Sequence, residues 1–159
     1  MNPDIKPALL SDLNEIVKMW MSNMTYHHDM APEYYVGPSI AVENILKEKV
    51  CEIISKKMEY LYYIELANQK VGFIYFGSDS PKYFDCVVNR FGVIHEIYIL
   101  NSFQNQGLGH LLMQYAENKL KKEGFTYVFL QLTAVNVKAK EFYLRNQYHE
   151  SQIIMNKKL

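Results

Sequence analysis

The chain has 159 residues, 49% of them apolar, with 17 basic and 17 acidic side chains and a formal net charge of zero. That length suits one domain, 1–159, with a sizeable core, and the balanced charge offers no overall field for nucleic acid or an anionic membrane. Apolar runs fall short of the roughly 18 to 20 residues that span a bilayer, Cys51 and Cys86 have no metal-ligand spacing, and Met1–Leu10 lacks the basic start and long apolar run of a signal peptide, so a soluble cytoplasmic protein is expected.

Ile5–Leu10 reads as a short strand, with Ser11 as N-cap of a helix whose apolar residues Leu13, Ile16, Val17, Trp20, Met21 and Met24 recur at helical spacing. Tyr26-His27-His28-Asp29 follows; adjacent histidines project in different directions and no third ligand is spaced to join them, so no metal site is expected. Past Pro32 and Gly37-Pro38, a second helix carries Val42, Ile45, Leu46, Val50, Ile53 and Ile54. Tyr60–Leu66 and Val71–Phe76 flank Asn68-Gln69-Lys70 and predict a hairpin. Tyrosine, 13 in all, clusters at Tyr34-Tyr35 and at Tyr60, Tyr62 and Tyr63; such residues sit at a core edge with a wet hydroxyl or grip a small polar ligand.

Ser78–Phe91 reads as a long loop. Gly92–Leu100 is then a nearly apolar strand, as expected for a central one covered on both faces. Gln104-Asn105-Gln106-Gly107-Leu108-Gly109-His110 leads from it into an amphipathic helix through Leu120, closed by Lys121, Lys122 and Gly124. A strand that passes through glycines into a helix start leaves unpaired N–H groups at the positive end of the helix dipole, a setting that binds phosphate. A side chain at Gly107 or Gly109 would hold a pyrophosphate away from those amides. Tyr127–Thr133 is another strand, Val137–Asn146 a shorter helix and Ser151–Lys157 a final strand, for an order β-α-α-β-β-β-α-β-α-β.

The Gln104-x-x-Gly107-x-Gly109 loop, followed by Asn136-x-x-Ala139-x-x-Phe142-Tyr143, resembles the GNAT-type N-acetyltransferase superfamily over about residues 92–148. The resemblance implies an α/β fold with a mixed, mostly antiparallel central sheet flanked by helices. It also implies acetyl-CoA as cosubstrate, without metal, and a primary amine of a small molecule or peptide as acceptor. Under it, Gln104, Asn105, Gln106, Gly107, Leu108, Gly109 and His110 hold the CoA pyrophosphate. The main chain of Ile99 and Leu100 pairs with the pantetheine arm and the acetyl carbonyl, where a fixed N–H stabilises an oxyanion.

Asn136, Ala139, Lys140 and Tyr143 share one helix face, which the resemblance implies is turned toward the cofactor arm. Tyr143, a phenol protonated at neutral pH, would protonate the departing thiolate, or else Phe142 and Tyr143 are core aromatics. Glu96, an acid in an apolar strand, is the candidate base for the amine or an anchor for its ammonium; burial would raise its pKa. Alternation places Glu96, Tyr98 and Leu100 on one face and His95, Ile97 and Ile99 on the other, so Glu96 and His95 do not share a cleft. The resemblance further implies Tyr26, His27, Tyr34, Tyr35 and Tyr98 as candidate acceptor contacts.

Two positions depart from the family pattern: Asn101 stands where Pro is common, and Gln147-Tyr148 where Gly-Phe is common. A left-handed glutamine is strained, so Asn146 is expected to take that conformation. A non-catalytic acyl-CoA-binding module and a transferase of longer acyl groups are the rival functions. The partners implied are the amine alone, with no nucleic acid or membrane, and a homodimer is admitted.

Overall fold

Apolar stretches with strand periodicity pair into one five-stranded sheet in the computed structural model, which describes residues 2–56, 59–82 and 85–157. The strands are β1 (Asp4–Pro7), β2 (Tyr60–Leu66), β3 (Gln69–Asp79), β4 (Phe91–Ile99) and β5 (Val128–Leu130), adjacent in that order. All neighbours are antiparallel except β4 and β5, which are parallel. The helices are α1 (Leu13–Met30), α2 (Ile40–Ser55), α3 (Leu108–Lys122) and α4 (Val137–Arg145). The mixed, mostly antiparallel sheet flanked by helices is therefore present. Among the described residues no helix is long and apolar enough to cross a membrane.

Each sheet face has its own core. On one, Ile16, Val17 and Trp20 of α1 and Leu46, Val50 and Ile53 of α2 bury Leu61, Tyr63, Phe73, Tyr75 and Tyr98. Trp20 lies 5.1 Å from Phe73 and 5.7 Å from Tyr75 between ring centroids. On the other face Leu108, Leu112, Met113, Ala116 and Leu120 of α3 cover Ile64, Ile74, Phe76, Ile94 and Ile99, with Phe142, Tyr143 and Tyr148 at the margin. The 3.6-residue periodicity of α1 and α3 is what buries these stripes.

Several boundaries differ from the sequence expectation. Ser11 does not cap α1: a 3-10 turn, Leu10–Asp12, precedes it, and the Asp12 carboxylate accepts from the Leu9 amide at 2.9 Å. The β2–β3 turn is Ala67-Asn68, both at positive φ (53° and 61°) as a two-residue hairpin turn demands. The strands β3 and β4 consume both ends of the expected 78–91 loop, within which Tyr83 and Phe84 lie outside the described residues. The final strand, Ser151–Lys157, does not form; the segment is exposed, and a strand without a ladder partner has nothing to hold it extended.

The end of α4 also differs. Gln147, not Asn146, takes the left-handed conformation, at φ 67°. Its N–H bonds Leu144 O at 3.0 Å and the Tyr148 N–H bonds Tyr143 O at 3.0 Å, the Schellman pattern that Gly124 completes after α3. Asn146 is committed elsewhere: its Nδ2 donates to Phe142 O at 2.8 Å. The closure brings Tyr148 onto the core margin, where its hydroxyl donates to Glu117 at 3.0 Å. Because a left-handed non-glycine residue costs about 1–2 kcal/mol, partly offset by the entropy that a glycine loses, Gln147→Gly should stabilise the fold by roughly 0.5–1 kcal/mol. Gly124→Ala should destabilise it by a similar amount; urea denaturation of both variants checks the two signs.

Candidate active site

An extra residue in β4 creates the site. In the β3–β4 register Tyr75 pairs with Glu96 and Phe76 with Ile94, leaving His95 as a bulge. The bulge inverts the alternation: Ile94 belongs to the α3-side core, whereas Glu96 reaches α1 and Tyr98 packs in the α1–α2 core. His95 stacks on Tyr75, 4.5 Å between centroids, and so leans to the same side as Glu96. The expectation that these two residues part across the sheet is thus corrected; strict period two holds only from Glu96 onward.

At the same point β4 loses its other neighbour. Its pairing with β5 covers only Gly92–Ile94 against Val128–Leu130, while β4 continues to Ile99. The Leu100 amide donates to Val71 O at 2.9 Å. Antiparallel pairs alternate between bonded and non-bonded, so Ile97 and Ile99 turn their N–H and C=O groups away from β3, toward the opened side. Leu100, expected to share the oxyanion role, has its amide spent within the sheet; the Ile99 N–H is the donor that remains.

Glu96 stands where the strands part. Asn23 of α1 donates Nδ2 to its Oε2 at 2.9 Å. Burial pushes the Glu96 carboxyl up to about 7, against the opposing pull of the Lys49 ammonium and the Asn23 hydrogen bond. Tyr143 of α4 is pushed up to about 12, first by burial and then by the negative charge of Glu96. The charge of Glu96 on β4 is thus felt by Tyr143 on α4. Around Tyr143, Phe142 and Tyr148 stand edge-on at 5.2 and 5.9 Å.

The loop after β4 is built as a cradle of main-chain donors. Gly107 is left-handed at φ 80°, caps α3 without a side-chain bond, and a Cβ there would point into open space. Asn105 is left-handed too, at φ 61°. Among the described residues the N–H groups of residues 105 to 110 find no acceptor, as the first turn of a helix requires unless something else supplies one.

Gly109 also has a packing role: a Cβ there would sit 3.2 Å from Phe142 Cε2 and 3.3 Å from Cζ, so glycine permits α4 to lie close against α3. Leu108 is a core residue. Gln106 makes only a long contact, its Nε2 to Ser102 O at 3.4 Å.

Other predicted side chains have partners within the protein. Gln104 donates Nε2 to Ile99 O at 2.9 Å and to Asn101 Oδ1 at 3.0 Å and accepts from Lys138 Nζ at 2.8 Å, so it braces the loop. His110 Nδ1 lies 2.5 Å from Asn146 Oδ1, which draws its ring to the end of α4. Lys140 pairs with Glu150. Asn136 caps α4 by accepting from the Ala139 N–H at 3.1 Å, and its Oδ1 also accepts from the Tyr26 hydroxyl at 3.3 Å. The helix face at Asn136, Ala139, Lys140 and Tyr143 thus carries a cap, a capped amide, an ion pair and a half-buried phenol.

On the α1 side, His27 stacks on Tyr35 (5.2 Å) and lies 5.9 Å from Tyr26, and burial lowers its pKa. His28 Nδ1 instead meets Tyr35 O at 2.7 Å. The Tyr35 hydroxyl bonds Thr133, and Tyr34 is exposed against Tyr35. Tyr26 and Tyr35 thereby bridge from the α1–α2 segment to the stretch between β5 and α4. Tyr98 is buried beside Phe73. Sequence reading did not single out Asn23, Lys49, Thr133 or Lys138. Only Asn23 left a signal, a polar residue within the apolar stripe of its helix.

A family model described as the acetyltransferase (GNAT) family matches residues 15–148, and the chain belongs to that family. No curated protein matches it in sequence. The solved structures it resembles include a tetramutant of the BH1408 protein from Bacillus halodurans, 12% identical with a TM-score of 0.87, covering 98% of this chain and 99% of that one. An aminoglycoside antibiotic 6′-N-acetyltransferase from Acinetobacter haemolyticus is 15% identical with a TM-score of 0.75, covering 98% and 99%. A predicted acetyltransferase with acetyl-CoA from Clostridium acetobutylicum is 12% identical with a TM-score of 0.75, covering 99% and 96%.

Two outcomes follow from the geometry. The folded Glu96 carboxyl titrates near 7 against 4.5 for the unfolded group, so the native state keeps a proton that the unfolded chain releases, and stability falls as pH rises from 4.5 to 7. Glu96→Gln removes that loss. Its stability relative to the parent should rise across this window by about 3 kcal/mol, levelling off above pH 7, read by urea denaturation at each pH. Gly109→Ala should destabilise by about 1 kcal/mol through Phe142, and a double-mutant cycle with Phe142→Leu should show favourable coupling as the clash is relieved.

Proposed function

We propose that the protein transfers an acetyl group from acetyl-CoA to a primary amine of a small molecule or peptide by direct attack. The observation that carries this reading is the convergence at the β4–β5 split. Tyr143 feels the charge of Glu96 there, the Ile99 N–H faces away from β3, and the amides of residues 105–110, which find no acceptor among the described residues, follow a few residues further on. Those amides, with the helix dipole behind them, suit the pyrophosphate of CoA. When bound, the thioester supplies the activated acetyl group. The C. acetobutylicum neighbour, whose structure is described with acetyl-CoA, supports the choice of cosubstrate.

Glu96 takes the proton that the ammonium must lose before its nitrogen can attack, directly or through one water. The Ile99 N–H donates to the carbonyl oxygen as that oxygen gains negative charge while the nitrogen–carbon bond forms. Tyr143 gives its proton to sulfur as the carbon–sulfur bond breaks, which leaves an amide and free CoA thiol. Tyr26, His27, Tyr34, Tyr35 and Tyr98 border the acceptor side in this reading. The aminoglycoside 6′-N-acetyltransferase among the neighbours makes polycationic amines the first acceptors to try.

Tyr143→Phe should lower kcat by about 10²-fold while acetyl-CoA affinity, measured by calorimetry, changes less than about threefold. An unchanged rate of thiol release in that variant would overturn the acid role. Failure of the parent protein to release thiol with any of a panel of aminoglycosides, polyamines and peptides would favour a binding module. With an active amine, kcat/KM should rise with pH through about 7 as Glu96 loses its proton, and Glu96→Gln should remove that limb.

A further inference from the structure

Asn23 is the most deeply buried of the polar side chains in the two cores, 4% exposed. It lies on the stripe of α1 that otherwise carries Ile16, Val17, Met19 and Trp20 into the sheet, a position at which packing alone would place an apolar residue. Burying an amide costs free energy unless its hydrogen bonds are recovered. The partner that recovers this one is no backbone group of the helix but the Glu96 carboxylate, 73 residues away in sequence.

We infer that Asn23 is a positioning residue for acetyl transfer: by holding Oε2 of Glu96 at 2.9 Å it fixes the rotamer of the carboxylate and leaves Oε1 as the atom that accepts the proton. The inference rests on the base role proposed for Glu96. A neutral donor suits that task better than the alternatives. A cation at this distance would draw the carboxyl back toward its ordinary range and repel an approaching ammonium, and an aliphatic side chain would free the carboxylate to rotate.

The other groups that face Glu96 come from each neighbouring element. Lys49 on α2 favours the ionised form, Tyr143 on α4 feels its charge, and Tyr75 is its register partner on β3, with Tyr98 two residues along the same face. Among the described residues it is Asn23, and none of these four, that hydrogen-bonds the carboxylate.

The test uses Asn23→Leu and Asn23→Asp in the full chain. The Glu96 carboxyl is followed by carbon NMR against pH, and kcat/KM with acetyl-CoA and the fastest of tobramycin, spermidine and an N-terminal peptide is followed over the same range. In Asn23→Leu the Glu96 midpoint and the acid limb of the rate profile should move up together by about one pH unit, since a hydrogen bond to a charged group is worth about that much. Asn23→Asp, close to isosteric, should move them further because two adjoining carboxyls share a proton; it serves as well if leucine is not accommodated.

A Glu96 midpoint unmoved in both variants, with only the melting temperature lowered, would make Asn23 a packing residue and overturn the inference. A midpoint that moves while the rate limb stays would overturn it through the other premise, because Glu96 would then be held by Asn23 without serving as the base.

Discussion

One inserted residue organises this molecule. Were β4 a regular strand, Ile94, Glu96 and Tyr98 would share a face and the ladder to β5 would have no reason to stop at Ile94. The bulge at His95 changes both at once. It carries Glu96 to the side of α1, where Asn23 waits, and it bends β4 at the point where its pairing with β5 ends. Backbone groups that a continuous sheet would have consumed are thereby left at Ile97 and Ile99. A carboxylate in partial burial and free main-chain donors beside it are two consequences of a single irregularity.

The loop and helices that follow keep that opening furnished. Gly107 supplies the left-handed turn that starts α3, and Gly109 lets Phe142 approach the same helix within contact distance. The second contact sets how near α4 can come, and α4 carries Tyr143. Gln104 ties the loop back to the Ile99 carbonyl and forward to Lys138 on α4, so one side chain links strand end, loop and helix. Thus the residues of the glycine signature contribute main chain and spacing more than side-chain contacts. Gln104 and His110 are spent on the scaffold, and the amides from 105 to 110 remain.

What was legible in the sequence was whatever depends on near neighbours along the chain. The stripe of α1, the apolar run of β4 and the glycine loop all declare themselves within a dozen residues. The bulge does not, because it is a relation between β3 and β4 and shows only when their registers are compared; with it went the correct side of His95. Asn23 and Glu96 lie 73 positions apart, and Lys49 reaches Glu96 from a third element. No local pattern encodes such a meeting. The expected last strand fails for the complementary reason: Ser151–Lys157 has the composition of a strand, but composition cannot furnish a neighbouring ladder. Gln147 shows the tertiary structure overriding a propensity. Docking Tyr148 against the core and Glu117 outweighs the strain of a left-handed glutamine.

The coupling between Glu96 and Tyr143 gives the proposed chemistry a direction. While Glu96 is ionised its charge holds the Tyr143 proton more tightly, so the phenol is a reluctant donor before the amine has been deprotonated. Once Glu96 has taken that proton the charge is gone, and the part of the Tyr143 shift that it caused goes with it, leaving burial alone to raise the pKa. In the proposed chemistry the phenol would thus be a stronger acid after Glu96 has taken the proton than before. Low local dielectric makes this exchange between the two groups larger than it would be in water. The same burial that makes Glu96 costly to ionise is thus what lets the state of one group be felt by the other.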